Sequence, residues 1–319
     1  MKKISKRFLL LAIVFLFIFP AKAVFADTTE IKMLTGESRR FPNAFWYCKY
    51  ESSDESVATV DDAGYIVANN PGVAIVKQHT LREPIVYQVT VTREPVDVVI
   101  CMGQSNMCGS GGRAMESPDI KNGVYQYAND QLFCMQKQGN LLPAFGNAFV
   151  KQTKRPVVMI QTAVGGSGTR AWIEDGLLKN SNSQLQKCRK MLAKYGIPVK
   201  NVYCLWYQGE TDAKKAMDKV TYTKNVKKIF RSMKRAGAKK FLMIQIGEYR
   251  NRAYDISTIV GAQNSLAKKN KKEFVLVTNI AAKLSADTSN YTDNVHFNQD
   301  ALNKIGESAG KKAGRLAKK

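Results

Sequence analysis

The chain has 319 residues, 45% of them hydrophobic and 24% charged, with 49 Lys+Arg against 26 Asp+Glu for a formal charge of +23. These fractions are those of a globular protein and exclude a disordered chain, and the length exceeds a usual single domain. A balance this basic attracts anionic polymers, but no helix-turn-helix, zinc-finger or aromatic RNA-binding motif accompanies the lysine clusters, so no nucleic acid partner is expected.

In chain order, residues 1–26 carry Lys2, Lys3, Lys6 and Arg7, then an apolar run from Phe8 to Pro20, then small residues ending at Ala23 or Ala26. This pattern predicts a secretory signal peptide, with cleavage after either alanine. The apolar run is shorter than the ~20 residues a spanning helix needs, so no stable membrane insertion is expected. The expected product is an exported bacterial protein, secreted or cell-surface associated, with anionic cell-wall or glycan polymers as partners. The six cysteines (Cys48, Cys101, Cys108, Cys134, Cys188 and Cys204) show no CxxC spacing. No metal site and no cofactor is therefore predicted, and a disulfide pairing is not legible.

Residues 27–94 alternate short apolar runs with turn residues about every ten positions, an all-β pattern. The run Ser52 to Val60, followed by Asp61-Asp62-Ala63-Gly64, Tyr65-Ile66-Val67, Asn70-Pro71-Gly72 and Val73-Ala74-Ile75-Val76, resembles the bacterial immunoglobulin-like domain, group two. That resemblance implies a small β-sandwich acting as a spacer or adhesive module. After Arg93-Glu94-Pro95 the texture changes. Apolar runs at 96–102, 157–163, 202–207, 241–246 and 274–279 are separated by Lys-rich amphipathic stretches of helical length. Residues 95–319 thus read as α/β, a mostly parallel sheet covered by helices on both faces, with ligands gathered beyond the strand ends.

Four polar clusters stand at such ends. Gly103-Gln104-Ser105-Asn106-Met107 follows the first strand, where a serine at a strand-to-helix turn exposes its hydroxyl while its N–H faces an incoming carbonyl. The chain has two histidines, His79 in the β segment and His296 near the C-terminus. Any Ser–His chemistry in the larger domain therefore uses His296, and Asp293, three residues earlier, is spaced to orient its imidazole. Gly165-Gly166, in the third run of clustered residues from Ala163 to Trp172, lets the backbone approach a ligand and offers N–H groups suited to an oxyanion. No Gly-Lys-Ser/Thr follows, and the dinucleotide fingerprint is missing, which argues against a phosphate loop. Trp206-Tyr207-Gln208-Gly209-Glu210-Thr211-Asp212 adds the Gln208 amide as a further donor, and Trp172 and Met107 are candidates for the pocket border.

Taken in order, Gln-Ser-Asn-Met, Val-Gly-Gly-x-x-x-x-x-Trp, Trp-Tyr-Gln-Gly-Glu-Thr-Asp and Asp-x-x-His resemble the sialate O-acetylesterase branch of the SGNH (GDSL-like) hydrolases, over residues 96 to about 310. The resemblance implies a three-layer α/β/α, flavodoxin-like domain whose nucleophile is Ser105, with Asp293 and His296 completing a triad. It further implies an oxyanion and substrate-binding set of Gly165 or Gly166, Gln208, Glu210 and Gln104, with an O-acetylated carbohydrate as substrate. Gln208-Gly209-Glu210 stands where commoner SGNH enzymes carry Gly-x-Asn. The alternatives are an SGNH lipase or thioesterase acting on other acyl esters, and a non-catalytic cell-surface glycan-binding protein.

Overall fold

The computed structural model describes residues 28–41 and 43–318. The signal peptide predicted for residues 1–26 lies outside the described residues. Fourteen strands occur among them: β1 (Thr28–Leu34), β2 (Glu37–Arg40), β3 (Lys49–Ser52), β4 (Ala58–Val60), β5 (Tyr65–Ala68), β6 (Gly72–His79), β7 (Ile85–Thr92), β8 (Val96–Gly103), β9 (Val124–Ala128), β10 (Gln131–Cys134), β11 (Val157–Gln161), β12 (Val199–Tyr207), β13 (Lys240–Ile244) and β14 (Phe274–Thr278).

The α/β part is built on the parallel run β14-β13-β12-β8-β11-β9. All eight residues of β8 are buried, as a central strand covered on both faces must be. The helices fall into two groups. Leu142–Thr153 packs on Gln299–Lys318, and Leu177–Lys194, Lys219–Arg235 and Ser257–Lys269 form the second group. In the first pair, Gly306 and Gly310 bring the backbones together: a Cβ on either would stand 2.3 Å from a carbonyl of the partner helix. The chain leaves β8 toward β11 on one side and later returns to β12 on the other, so the strand order reverses at β8 and opens a crevice at its carboxyl end. At the opposite end, buried Asp97 of β8 accepts from Arg155 Nε at 2.8 Å and Asn201 Nδ2 at 2.7 Å, tying three strands together.

The strands expected at 96–102, 157–163, 202–207, 241–246 and 274–279 form at those places, with β11, β13 and β14 one or two residues shorter at their carboxyl ends, β8 one residue longer and β12 starting three residues earlier. The hairpin of β9 and β10 was not foreseen. Asn129 and Asp130 make its two-residue turn with φ of 51° and 59°, the geometry that matches strand twist.

The β-rich segment also differs from a free-standing module. β1-β7-β6-β3 form one sheet, but β2-β5-β4 continue the large sheet because β2 pairs in parallel with β10, giving ten strands in a row. The two parts keep separate cores, except that Leu34 of β1 packs into that of the α/β part. At the seam Glu37, fully buried, accepts from Leu34 N at 3.0 Å and from Arg39 Nη2 at 2.7 Å. Burial raises its carboxyl pKa against the pull of Arg39. A Cβ on Gly36, where φ is 82°, would meet the Tyr195 ring at 2.4 Å, so the crossing requires glycine.

All six cysteines are free. Cys101 and Cys204 stand on neighbouring strands β8 and β12, and burial pushes both thiols well up. Among the described residues no helix is long and apolar enough to cross a membrane.

Candidate active site

Ser105 begins the one-turn helix Ser105–Cys108 directly after β8, with Gln104 in extended conformation at its N-cap. The sharp turn needs Gly103 (φ 141°), because a Cβ there would lie 2.0 Å from the Tyr207 carbonyl. Ser105 is 6% exposed and its Oγ makes no hydrogen bond among the described residues. Contacts between nucleophile and base are commonly loose before substrate enters.

His296 and Asp293 sit in a tight loop closed by the Tyr291–Phe297 bridge and by Thr292 N donating to His296 O at 2.9 Å. Asp293 Oδ2 lies 2.6 Å from His296 Nδ1, while its Oδ1 accepts from Val295 N and His296 N at 2.8 Å each. Burial works to raise the Asp293 carboxyl, but these two N–H groups and the imidazole outweigh it and hold the pKa below the ordinary value. The carboxylate thus stays ionised, and its bond to Nδ1 leaves Nε2 as the nitrogen free to take a proton. Next, Asn298 caps the helix Gln299–Lys318 by accepting from Ala301 N at 2.9 Å, which anchors the loop to the body of the fold.

Asn106, to which the sequence alone assigns no role, joins these pieces. Its Nδ2 donates to Glu210 Oε1 at 2.8 Å and to Val295 O at 3.1 Å, and its Oδ1 accepts from Phe297 N at 3.1 Å. The side chain following Ser105 therefore grips the backbone on both sides of His296. The position after the serine was the available signal, since a buried amide there has both a donor and an acceptor to place.

Glu210 is 2% exposed at the start of the helix Glu210–Lys214. Burial raises its carboxyl pKa, while Asn106 and the nearby His296 lower it in part. Its Oε2 and the Tyr207 hydroxyl are buried without partners among the described residues. Glu210 thus acts on the site from beneath, through Asn106, instead of lining open space.

The glycine loop runs beside the serine. A Cβ on Gly165 would stand 4.0 Å from Ser105 Cβ, whereas Gly166 (φ 69°) has nothing within 4 Å and borders a cleft of about 660 Å³ lined also by Arg170, Asp212, Lys215 and Met217. Of the two, Gly165 is the one next to Ser105.

Gln208 is placed differently from the oxyanion role expected of it. It is fully buried, and its amide donates to Gln104 Oε1 at 3.2 Å, to Ser167 O at 3.3 Å and to Asp212 Oδ2. Those N–H groups are committed to protein acceptors, so Gln208 braces the glycine loop from behind. Gln104 turns the same way, its Oε1 also accepting from Thr211 N at 3.1 Å. Trp172 and Met107 are fully buried too, with Trp172 Nε1 bonded to Ser167 Oγ at 2.9 Å, so neither borders the cleft.

The arrangement therefore offers a serine hydroxyl at a strand end, an Asp–His pair whose loop is bonded to the residue after that serine, and an exposed glycine loop alongside. These are the parts of a hydrolytic acyl-transfer site. A family model described as carbohydrate esterase, sialic acid-specific acetylesterase, matches residues 95–314. No curated protein matches the chain. Among solved structures, a protein from Arabidopsis thaliana is similar at 18% identity and a TM-score of 0.53, covering 68% of this chain and 97% of that one. A carbohydrate acetylesterase from Xanthomonas citri aligns at 16% identity and 0.38, covering 80% and 70%. An acetyl-xylooligosaccharide esterase from a Geobacillus aligns at 11% and 0.44, covering 68% and 93%. The Arabidopsis likeness supports the mixed α/β fold alone. The family match spans most of the sequence and all four strand-end clusters, so the chain belongs to the sialic acid-specific acetylesterase family of carbohydrate esterases and is a carboxylic ester hydrolase.

Proposed function

We propose that the protein is an exported serine esterase that removes O-acetyl groups from carbohydrate, with Ser105 as nucleophile, His296 as general base and acid, and Asp293 as the residue orienting His296. The observation that carries this reading is the Asn106 side chain, which holds the backbone on both sides of His296 against the Ser105 turn.

In the proposed reaction Ser105 Oγ bonds to the acetyl carbonyl carbon as its proton passes to His296 Nε2. The carbonyl oxygen becomes an oxyanion stabilised by the N–H groups of Ser105 and the Gly165–Gly166 loop. The tetrahedral intermediate then expels the sugar oxygen, which takes the proton from His296, leaving an acetyl-serine. Water, deprotonated by His296, attacks this ester, and acetate departs as the proton returns to Ser105. Residues 95–319 form the catalytic domain, and residues 27–94 form an immunoglobulin-like module that precedes it after removal of the leader.

Acetate release from a panel of O-acetylated sialic acids, xylans and bacterial polysaccharides tests the reading. Turnover abolished by Ser105→Ala and by His296→Ala supports it and ranks the substrates. A folded wild type that releases acetate from none of them refutes the carbohydrate assignment.

A further inference from the structure

Far from the catalytic crevice, the segment 41–48 that joins β2 to β3 carries an aromatic tip. Phe41 roots it, buried and stacked on Tyr87 with ring centroids 4.3 Å apart. Beyond the root, Phe45 is 53% exposed, Trp46 92% and Tyr47 38%. The Phe45 and Tyr47 rings are 5.5 Å apart and within 3° of parallel, and Trp46 meets Tyr47 edge-on at 5.7 Å. Tyr65, 46% exposed, stands nearby on the neighbouring hairpin. Arg40 links the two: its guanidinium lies 5.9 Å from the Tyr65 ring and donates to Ala44 O at 3.1 Å and Ala63 O at 3.2 Å. Cys48 N donates to Phe45 O at 3.1 Å and Gln78 to Asn43 O, so the loop is braced at both ends. Four aromatic rings kept in water on a braced loop form a patch of the kind that marks a binding surface.

We propose that the Phe45–Trp46–Tyr47 tip, with Tyr65, is a binding site for an uncharged polysaccharide chain, separate from the active site. Three observations select this occupant. Flat rings held in place present negative π-faces to the polarised C–H bonds on the face of a sugar ring, with little side-chain entropy left to lose. Residues 28–94 carry nine Asp and Glu against seven Lys and Arg, although the chain as a whole is strongly basic. The cations at the tip are Arg40, whose guanidinium is held on two carbonyls, and exposed Lys49, too few for the clustered positive charge that an anionic membrane or a nucleic acid requires.

Topology fixes the role. β2 is parallel to β10, β10 is antiparallel to β9, and β9 is parallel to β11 and β8. The loop after β2 therefore leaves the sheet at the end where the catalytic strands begin, opposite Ser105. A stretch of chain bound there is not the stretch being deacetylated. The tip holds the enzyme on a glycan matrix while the crevice faces other strands of it, and the β2–β10 ladder joins the two in one sheet. The choice of carbohydrate as ligand rests on the acetylesterase reading above.

The test is depletion of the mature Ser105→Ala protein from solution by insoluble deacetylated xylan and by cellulose, with phosphatidylglycerol vesicles for comparison. Trp46→Ala combined with Tyr47→Ala is expected to weaken glycan binding by about thirtyfold, two lost stacking contacts of about 1 kcal/mol each. In the catalytically intact background the same pair leaves hydrolysis of a soluble acetyl ester within about twofold, which shows that the fold survives. Glycan binding unchanged by the substitutions overturns the proposal, as does the absence of binding to either glycan. Vesicle binding or self-association that the substitutions abolish overturns it in favour of a membrane or a second copy. Because Ser105→Ala hydrolyses nothing, binding without wild-type turnover sinks only the acetylesterase reading, and turnover without binding sinks only this one.

Discussion

Asn106→Ala is the most informative perturbation of the catalytic geometry. It removes an acceptor from Phe297 N, 1% exposed, and a donor from Glu210, whose other carboxyl oxygen is already without a partner. A buried polar group left unpaired costs about 1–3 kcal/mol, so leaving both unpaired should lower stability by about 2–6 kcal/mol. The larger effect is expected in kcat. His296 loses the grip on its two neighbours, and a displacement of about 1 Å at a reacting group costs about 10²-fold. Asn106 is 2% exposed, out of reach of substrate, so KM should stay within about threefold. Steady-state kinetics on a soluble acetyl ester, run well below the thermal midpoint of the variant, separates the two effects. Asn106→Asp keeps the acceptor for Phe297 N but sets a second carboxyl against Glu210, so its activity should recover toward acid pH, where the pair holds a proton. Asn106→Ala with the full stability loss and an unchanged kcat would refute the reasoning and leave Asn106 a purely structural residue.

Glu210 titrates in the opposite sense to Asp293. Its folded pKa is raised, so the stability it contributes is complete below the ordinary value of 4.5 and is lost as pH rises through the folded value. Urea midpoints from pH 4 to 8 should therefore favour Glu210→Gln over wild type increasingly as pH rises, and parallel curves would contradict this. Asp293 is depressed below the ordinary 3.8, and its contribution is present above that value and disappears as pH falls through the folded one. Asp293→Ala should lower kcat by about 10³–10⁴-fold with KM little altered, because Nδ1 loses the partner that fixes the tautomer; a KM effect with kcat preserved would assign Asp293 to binding. At the seam, Glu37→Ala leaves the Arg39 guanidinium, 17% exposed, without its carboxylate and should cost about 3–5 kcal/mol by thermal unfolding with kcat untouched. A midpoint equal to wild type would show that the β2–β10 ladder does not depend on this pair.

Much of the catalytic part was legible because its information is local. A run of apolar residues covered on both faces declares a parallel strand, and β8, β11, β12, β13 and β14 form where such runs stand. Asp293 and His296 were legible as a pair because a spacing of three brings carboxylate and imidazole together within one loop, whatever the rest of the chain does. The Asn129–Asp130 hairpin was written in the sequence just as locally, as two residues that tolerate positive φ, but it interrupted the expected alternation of strand and helix.

Tertiary structure alone decided the rest, because it rests on partners distant in sequence. Asn106 and Val295 are 189 residues apart, and nothing near either one announces their bond. Gln208 carries the donor chemistry of an oxyanion hole, yet packing against Gln104, Ser167 and Asp212 turns both N–H groups inward. The β-rich segment reads as a separate module, and only the pairing of β2 with β10 makes it part of the catalytic sheet, since a strand edge takes any partner whose register and burial fit. The sequence determined which reactive side chains stand beyond the strand ends. The fold determined which of them gather around the Ser105 turn and which turn inward to brace it, because orientation depends on long-range contacts that composition and spacing do not encode.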